Sequence, residues 1–125
     1  MIILIIGDLM LDRTIYGHIT RQAPEDTTVS IVKQTDELTC LGGAGNLLNN
    51  LVSIPNVDIH VFSTVGEDAD GQVIIDMLTK VATCHIRRTN HPTTVKTRTR
   101  IGKRLIQRVD REEIHSLDAP FDIAR

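Results

Sequence analysis

The sequence predicts an α/β domain that carries a smaller side sheet, and three observations lead there. Ile2–Ile6 is a run of branched apolar residues that stops at Gly7-Asp8, as a central strand of a parallel sheet covered on both faces would. Two helical patterns follow, each opened by a glycine-containing turn and each leading to an apolar strand, which is the β-α-β-α rhythm of a doubly wound domain. Short alternating segments that do not fit this rhythm predict the side sheet.

In chain order, residues 14–19, 28–33 and 37–41 alternate in polarity and are separated by turns that include Pro24 and Asp36, so they are assigned to the side sheet. Gly42, Gly43 and Gly45 then run into a helix in which Leu47, Leu48, Leu51 and Val52 recur at helical spacing, closed by Pro55-Asn56. Residues 58–65 form the next strand. An acidic turn, Gly66-Glu67-Asp68-Ala69-Asp70-Gly71, leads into a second helix at roughly residues 72–80, with Val73, Ile74, Met77, Leu78 and Val81 on one face.

A strand is expected at 83–88. Residues 92–110 read as a hairpin whose two-residue turn, Gly102-Lys103, wants glycine first. Its strands join the side sheet. Residues 118–125 begin an element that the chain does not finish.

At 125 residues the chain fits one domain, able to bury about two-thirds of the surface its unfolded form exposes. The formal net charge of −2 argues against a surface built as a whole for phosphodiester backbones. Cys40 and Cys84 form no C-x-x-C pair and have no histidine at zinc-ligand spacing, which argues against a disulfide framework and a structural zinc site and makes a reducing cytoplasm the default expectation. The apolar start is too short for a signal peptide or membrane span.

The residues that carry chemistry cluster in two places. Asp8 and Asp12 follow the first strand at its carboxyl end, where ligands of open α/β sheets bind, and a carboxylate there can accept from two sugar hydroxyls. Gly42, Gly43, Gly45 and Asn46 bring a bare backbone and the free N–H groups of a helix start toward a small polar ligand. The plainer alternatives are an Asp8 turn cap, a solvated Asp12, and a tight corner capped by Asn46. The cluster is not a dinucleotide fingerprint, since Leu48 stands where the third glycine would be, and no P-loop motif occurs.

Lys96, Arg98, Arg100, Lys103, Arg104 and Arg108 concentrate positive charge in the predicted hairpin and suit a phosphorylated substrate. With a two-residue turn, Lys96, Arg98 and Arg100 share a face with Leu105, Gln107 and Val109 while Arg104 and Arg108 point the other way, so the charges do not form one patch, and the plainer alternative is a pair of solvated strands. Nucleic-acid binding by this hairpin would want stacking aromatics, and Tyr16, Phe62 and Phe121 are all the chain has. The five histidines have no ligand-like spacing.

With these residues in hand, the chain resembles the N-terminal half of a ribokinase-like (fructokinase B type) carbohydrate kinase: a doubly wound sheet with a β-sheet lid, residues 1–125 being an incomplete kinase domain with lid strands at roughly 14–41 and 92–110. Gly7-Asp8 to Asp12 resembles the family's first sugar-binding loop, Leu41-Gly42-Gly43-Ala44-Gly45-Asn46 its glycine-glycine-x-x-asparagine signature, and Gly66 to Gly71 its glycine-acid-acid-x-x-glycine turn. The segments 12–17, 92–98 and 108–112 are most similar to the kinase domain that phosphorylates heptose 7-phosphate at its anomeric hydroxyl, in ADP-heptose synthesis for the lipopolysaccharide core.

The resemblance implies that Asp12, Gly42, Gly43 and Asn46 bind sugar hydroxyls, that Lys96 and Arg98 contact the substrate phosphate, and that the lid pairs two subunits into a homodimer. It also implies ATP and Mg2+ as cofactors of the complete enzyme. The family's catalytic glycine-x-glycine-aspartate motif is absent from this chain, so no catalytic residue, nucleotide site or metal site is expected here and no kinase activity from this chain alone. The alternative is a non-catalytic sugar-binding or dimerising module. The expected partners are a sugar phosphate and a second copy, not nucleic acid or membrane.

Overall fold

The computed structural model describes residues 1–116, so the element expected over 118–125 lies outside the described residues. Nine elements follow in order: β1 Ile2–Ile6, β2 Leu9–Gln22, β3 Ser30–Gly43, α1 Ala44–Leu51, β4 Asp58–Gly66, α2 Ala69–Leu78, β5 Thr83–Thr89, β6 Val95–Ile101 and β7 Arg104–Arg111. They form a parallel three-stranded sheet ordered β1-β4-β5 and a mixed four-stranded sheet ordered β3-β2-β6-β7. The β2–β3 hairpin is inserted into the first crossover, between β1 and α1, and β2 pairs in parallel with the later β6.

The period of two along β1 and β4 decides where the core sits. Ile5 lies opposite Val61, which lies opposite Cys84, and this face packs against Leu48 of α1 and Ile74 and Leu78 of α2, all fully buried. Both described helices cover the same face. The expectation that β1 is covered on both faces is therefore corrected: Ile2, Leu4 and Ile6 are 67, 50 and 64% exposed. Apolar composition says that a strand seeks cover, but not which segment supplies it.

The side sheet also departs from expectation. Residues 30–33 and 37–41 belong to one 14-residue strand rather than two, with residues 28 and 29 left in the turn before it, and its partner β2 is equally long. The turn expected at Pro24 does separate β2 from β3, whereas the break expected at Asp36 is absorbed by a register shift between Tyr16 and Gly17, with a second shift between Ile19 and Arg21. Such bulges bend a strand without ending it. α2 starts earlier than expected, at Ala69, because Asp68 caps it by accepting from the Gly71 N–H at 2.8 Å.

The hairpin turn forms as expected, with Ile101 opposite Arg104 and Gly102 at φ +57°. The ladder beyond it is not regular. A bulge between Thr99 and Arg100 places Gln107, not Ile106, opposite Thr99, and every later pair is shifted by one. Lys96 consequently faces Asp110, and Arg98 faces Arg108. The expected parity is corrected: Arg108 shares a face with Lys96 and Arg98, because one extra residue moves all that follow to the other side.

Candidate functional site

Asp12 sits within β2, not in a loop, opposite Cys40 on β3 and Lys96 on β6. Its Oδ1 accepts from Arg98 Nη1 at 3.0 Å, and both side chains are about a quarter exposed. A Cβ on Gly42 would collide with Asp12 Oδ2 and stand 2.8 Å from Met10 Cγ. Glycine at 42 is thus a steric requirement of where the carboxylate lies. Four of the expected site residues, Asp12, Gly42, Lys96 and Arg98, meet on one face of the side sheet.

Gly43 and Asn46 occupy the strand-to-helix corner that follows. Gly43 has φ +59° and ψ −129°, a conformation open to glycine and strained for other residues, and an added Cβ would strike the Asp8 carbonyl. That carbonyl accepts from the Ala44 N–H at 2.8 Å, which pins the helix start against the end of β1. Asn46 lies exposed in the first turn of α1, makes no side-chain hydrogen bond among the described residues, and does not cap the helix. The capping alternative for Asn46 is overturned; Gly43 is the N-cap.

A cavity of about 310 Å³ opens beside this corner, at the carboxyl ends of β1 and β4, lined among others by Gly7, Asp8, Met10, Ser63, Gly66 and Thr93. None of Asp12, Gly42, Gly43, Asn46, Lys96 and Arg98 lines it. Met10 connects the two, since it borders the cavity while its Cε comes within 3.0 Å of where a Gly43 Cβ would be. The cavity holds the position that open α/β sheets reserve for ligands, with the charged face of the side sheet adjoining.

No family model matches the chain. It is 36% identical over 118 residues to the bifunctional protein HldE of Nitratiruptor sp., covering 94% of this chain and 25% of that protein. Against HldE of Pelobacter propionicus it is 40% identical over 126 residues, covering 95% and 25%. The chain thus spans about a quarter of the length of these curated relatives. A carbohydrate kinase from Agrobacterium tumefaciens superposes with a TM-score of 0.69 at 17% identity, covering 88% of this chain and 35% of that one. Ribokinase from Giardia lamblia gives 0.65 at 16% identity, covering 88% and 35%.

The fold is ribokinase-like. In this ribokinase-like chain the acidic turn recognised in the sequence does a different job from the glycine corner. Asp68 Oδ1 accepts from the Gly71 N–H at 2.8 Å and from Thr93 Oγ1 at 2.6 Å, and Oδ2 accepts from the Thr93 N–H at 2.9 Å. Thr93 Oγ1 in turn accepts from the Gly66 N–H at 2.9 Å. Burial would raise the Asp68 pKa, yet the Thr93 and Gly71 hydrogen bonds and the Arg111 charge outweigh it and hold the carboxyl below its usual range.

Around this knot, Asp70 accepts from Arg13 Nη2 at 2.7 Å and from Arg111 Nη2 at 2.9 Å, and Arg13 Nε lies 3.0 Å from Glu37 Oε1. These ties join α2 to three strands of the side sheet. Sequence reading missed Arg13, Asp70, Thr93 and Arg111 as a unit. A signal existed for half of it, in the glycine-acid-acid-x-x-glycine pattern, but nothing local announces that Arg13 and Arg111 reach the same carboxylate. Among the described residues there is no group of three His, Cys, Asp or Glu side chains placed to hold a metal, and no helix is long and apolar enough to cross a membrane.

Proposed function

We propose that this chain is the sugar-binding part of an ATP-dependent carbohydrate kinase that acts on a heptose 7-phosphate at the anomeric hydroxyl, in ADP-heptose formation for lipopolysaccharide core. The observation that carries the reading is the Asp12 carboxylate, seated over side-chain-free Gly42 and oriented by Arg98. A carboxylate so held offers its lone pairs to two vicinal hydroxyls. The exposed Asn46 amide adds a donor at the strand-to-helix corner that follows Gly42. Lys96 and Arg98 supply positive charge for the phosphate end of the sugar.

Phosphoryl transfer also needs a base, an anion hole and a metal-bound nucleotide held in line. The described residues do not fit that second half: they offer no carboxylate cluster for Mg2+, and the sequence has no glycine-x-glycine-aspartate motif. ATP and Mg2+ would therefore be held by other residues than these, and residues 1–125 alone bind sugar phosphate without turning it over. Calorimetry with heptose 7-phosphate tests the binding, with Asp12→Ala expected to weaken it by about 1–3 kcal/mol. Affinity unchanged by Asp12→Ala would remove the sugar site from this face, and ATP-dependent turnover by the purified 125-residue chain would overturn the division of labour.

A second reading, a dimerising module that uses the side sheet, is favoured by one observation: Ile19, Leu38, Leu105 and Val109 of that sheet are 49, 53, 46 and 52% exposed. Sedimentation with and without heptose 7-phosphate separates the two, because a pure association module dimerises and ignores the sugar.

A further inference from the structure

The bulge in β7 changes what the outer face of the side sheet can bind. Across β2, β6 and β7, one row reads Asp12, Lys96, Asp110 and the next reads Thr14, Arg98, Arg108. Each carboxylate in the first row engages one guanidinium of the second. Arg98 Nη1 donates to Asp12, and Arg108 donates through Nε to Asp110 Oδ1 at 2.8 Å and through Nη2 to Asp110 Oδ2 at 3.0 Å. Three cations thus stand against two carboxylates. Lys96 sits between the two pairs and makes no hydrogen bond of its own among the described residues.

We propose that Arg108, held in place by Asp110, is a third reader of the substrate's phosphate beside Lys96 and Arg98, so that this face selects a phosphorylated sugar over the free sugar. The claim rests on the sugar-binding reading above. Its chemistry is that of a phosphate monoester dianion, which three converging cations neutralise better than two. Asp110 fixes the guanidinium with a bidentate pair, so little rotamer freedom remains to be lost when the anion arrives. The Arg108 hydrogen bonds and the nearby Lys96 and Arg98 charges keep Asp110 below the usual carboxylate range, so the tether stays ionised. Without the extra residue in β7, Arg108 would point away from Asp12 and the face would carry only two cations.

The test is calorimetry on the polypeptide at its encoded length, with heptose 7-phosphate and unphosphorylated heptose as paired probes and thermal midpoints recorded for every variant. Arg108→Gln should weaken heptose 7-phosphate by about 10-fold to 100-fold and leave heptose unchanged, while Arg108→Lys should recover part of the loss. A double variant, Arg108→Val with Val109→Arg, keeps composition and net charge but moves the cation to the opposite face, and should lose as much as Arg108→Gln. If wild type prefers the phosphorylated sugar and all three variants bind as wild type does, the Arg108 proposal is overturned while the sugar-binding reading stands. If wild type binds neither probe, the reading itself falls and this proposal with it.

Discussion

Two glycine-led turns open the two described helices, and one is closed on itself while the other is open. At Gly66–Gly71, Asp68 satisfies three donors, Thr93 satisfies a fourth, and Arg13 and Arg111 clamp Asp70. At Gly42–Asn46 the helix cap makes no side-chain bond, and Asn46 stands exposed with no partner among the described residues. A polar group whose hydrogen bonds are all spent inside the protein holds the fold together. One that keeps its capacity free at an exposed corner is available to a ligand. The difference predicts that damage to the first turn costs stability, and damage to the second costs binding.

The largest expected effect is at Gly66 and Gly71. A Cβ on Gly66 would lie 2.6 Å from the His91 carbonyl oxygen and 2.7 Å from the Thr93 nitrogen, and one on Gly71 would strike the Gly66 carbonyl. These obstacles are backbone and cannot rotate aside. Gly71→Ala should lower stability by about 3 kcal/mol or more, read from urea midpoints. Gly42→Ala is the sharper contrast, since there the obstacles are the Asp12 and Met10 side chains. The fold should survive with a smaller loss, while sugar binding fails because Asp12 is pushed off its position. Equal losses of stability at the two glycines would erase the distinction between the turns.

Next comes Asp68→Ala, which strands the Thr93 and Gly71 donors in a partly exposed site and should cost about 2 kcal/mol. The same carboxylate gives a pH dependence with a definite sign. Its pKa is lower in the folded state than the unfolded value of 3.8, so its contribution is complete above that value and drains away as pH falls through the folded pKa. Denaturation midpoints of wild type should drop below about pH 4, more steeply than those of Asp68→Asn. Parallel pH profiles would mean that the knot does not depend on the charge. Arg111→Gln should have a smaller effect, about 1 kcal/mol, because Arg13 still holds Asp70 and Arg111 is itself half exposed.

How far this contrast was legible in the sequence varies along the chain. The parallel strands and both helices follow from apolar periodicity, because Ile5, Val61, Leu48, Ile74 and Leu78 record one buried face. The glycine corner was legible as well, since a close approach at Gly42 and Gly45 and a positive φ at Gly43 account for glycines clustered at a helix start. What could not be read was set by single-residue offsets. The bulge in β7 that moves Arg108 to the Asp12 face leaves no mark in composition, and hydrophobic alternation in β7 is too weak to reveal it. Likewise Arg13 and Arg111 lie far apart in sequence and meet at Asp70 only through the β2–β6–β7 pairing.

The smallest effect on stability is also the most discriminating. Asn46→Ala removes an exposed side chain with no hydrogen bond among the described residues, from a helix position where alanine has the better intrinsic propensity. Stability should stay within about 0.5 kcal/mol of wild type. If Asn46 donates to a sugar hydroxyl, the same change should weaken heptose 7-phosphate by about 10-fold and should weaken unphosphorylated heptose equally, because the amide reads the ring and not the phosphate. That pattern differs from the one expected at Arg108, where only the phosphorylated probe responds. A measurable loss of stability with intact binding would instead make the open turn structural, like its counterpart at Asp68.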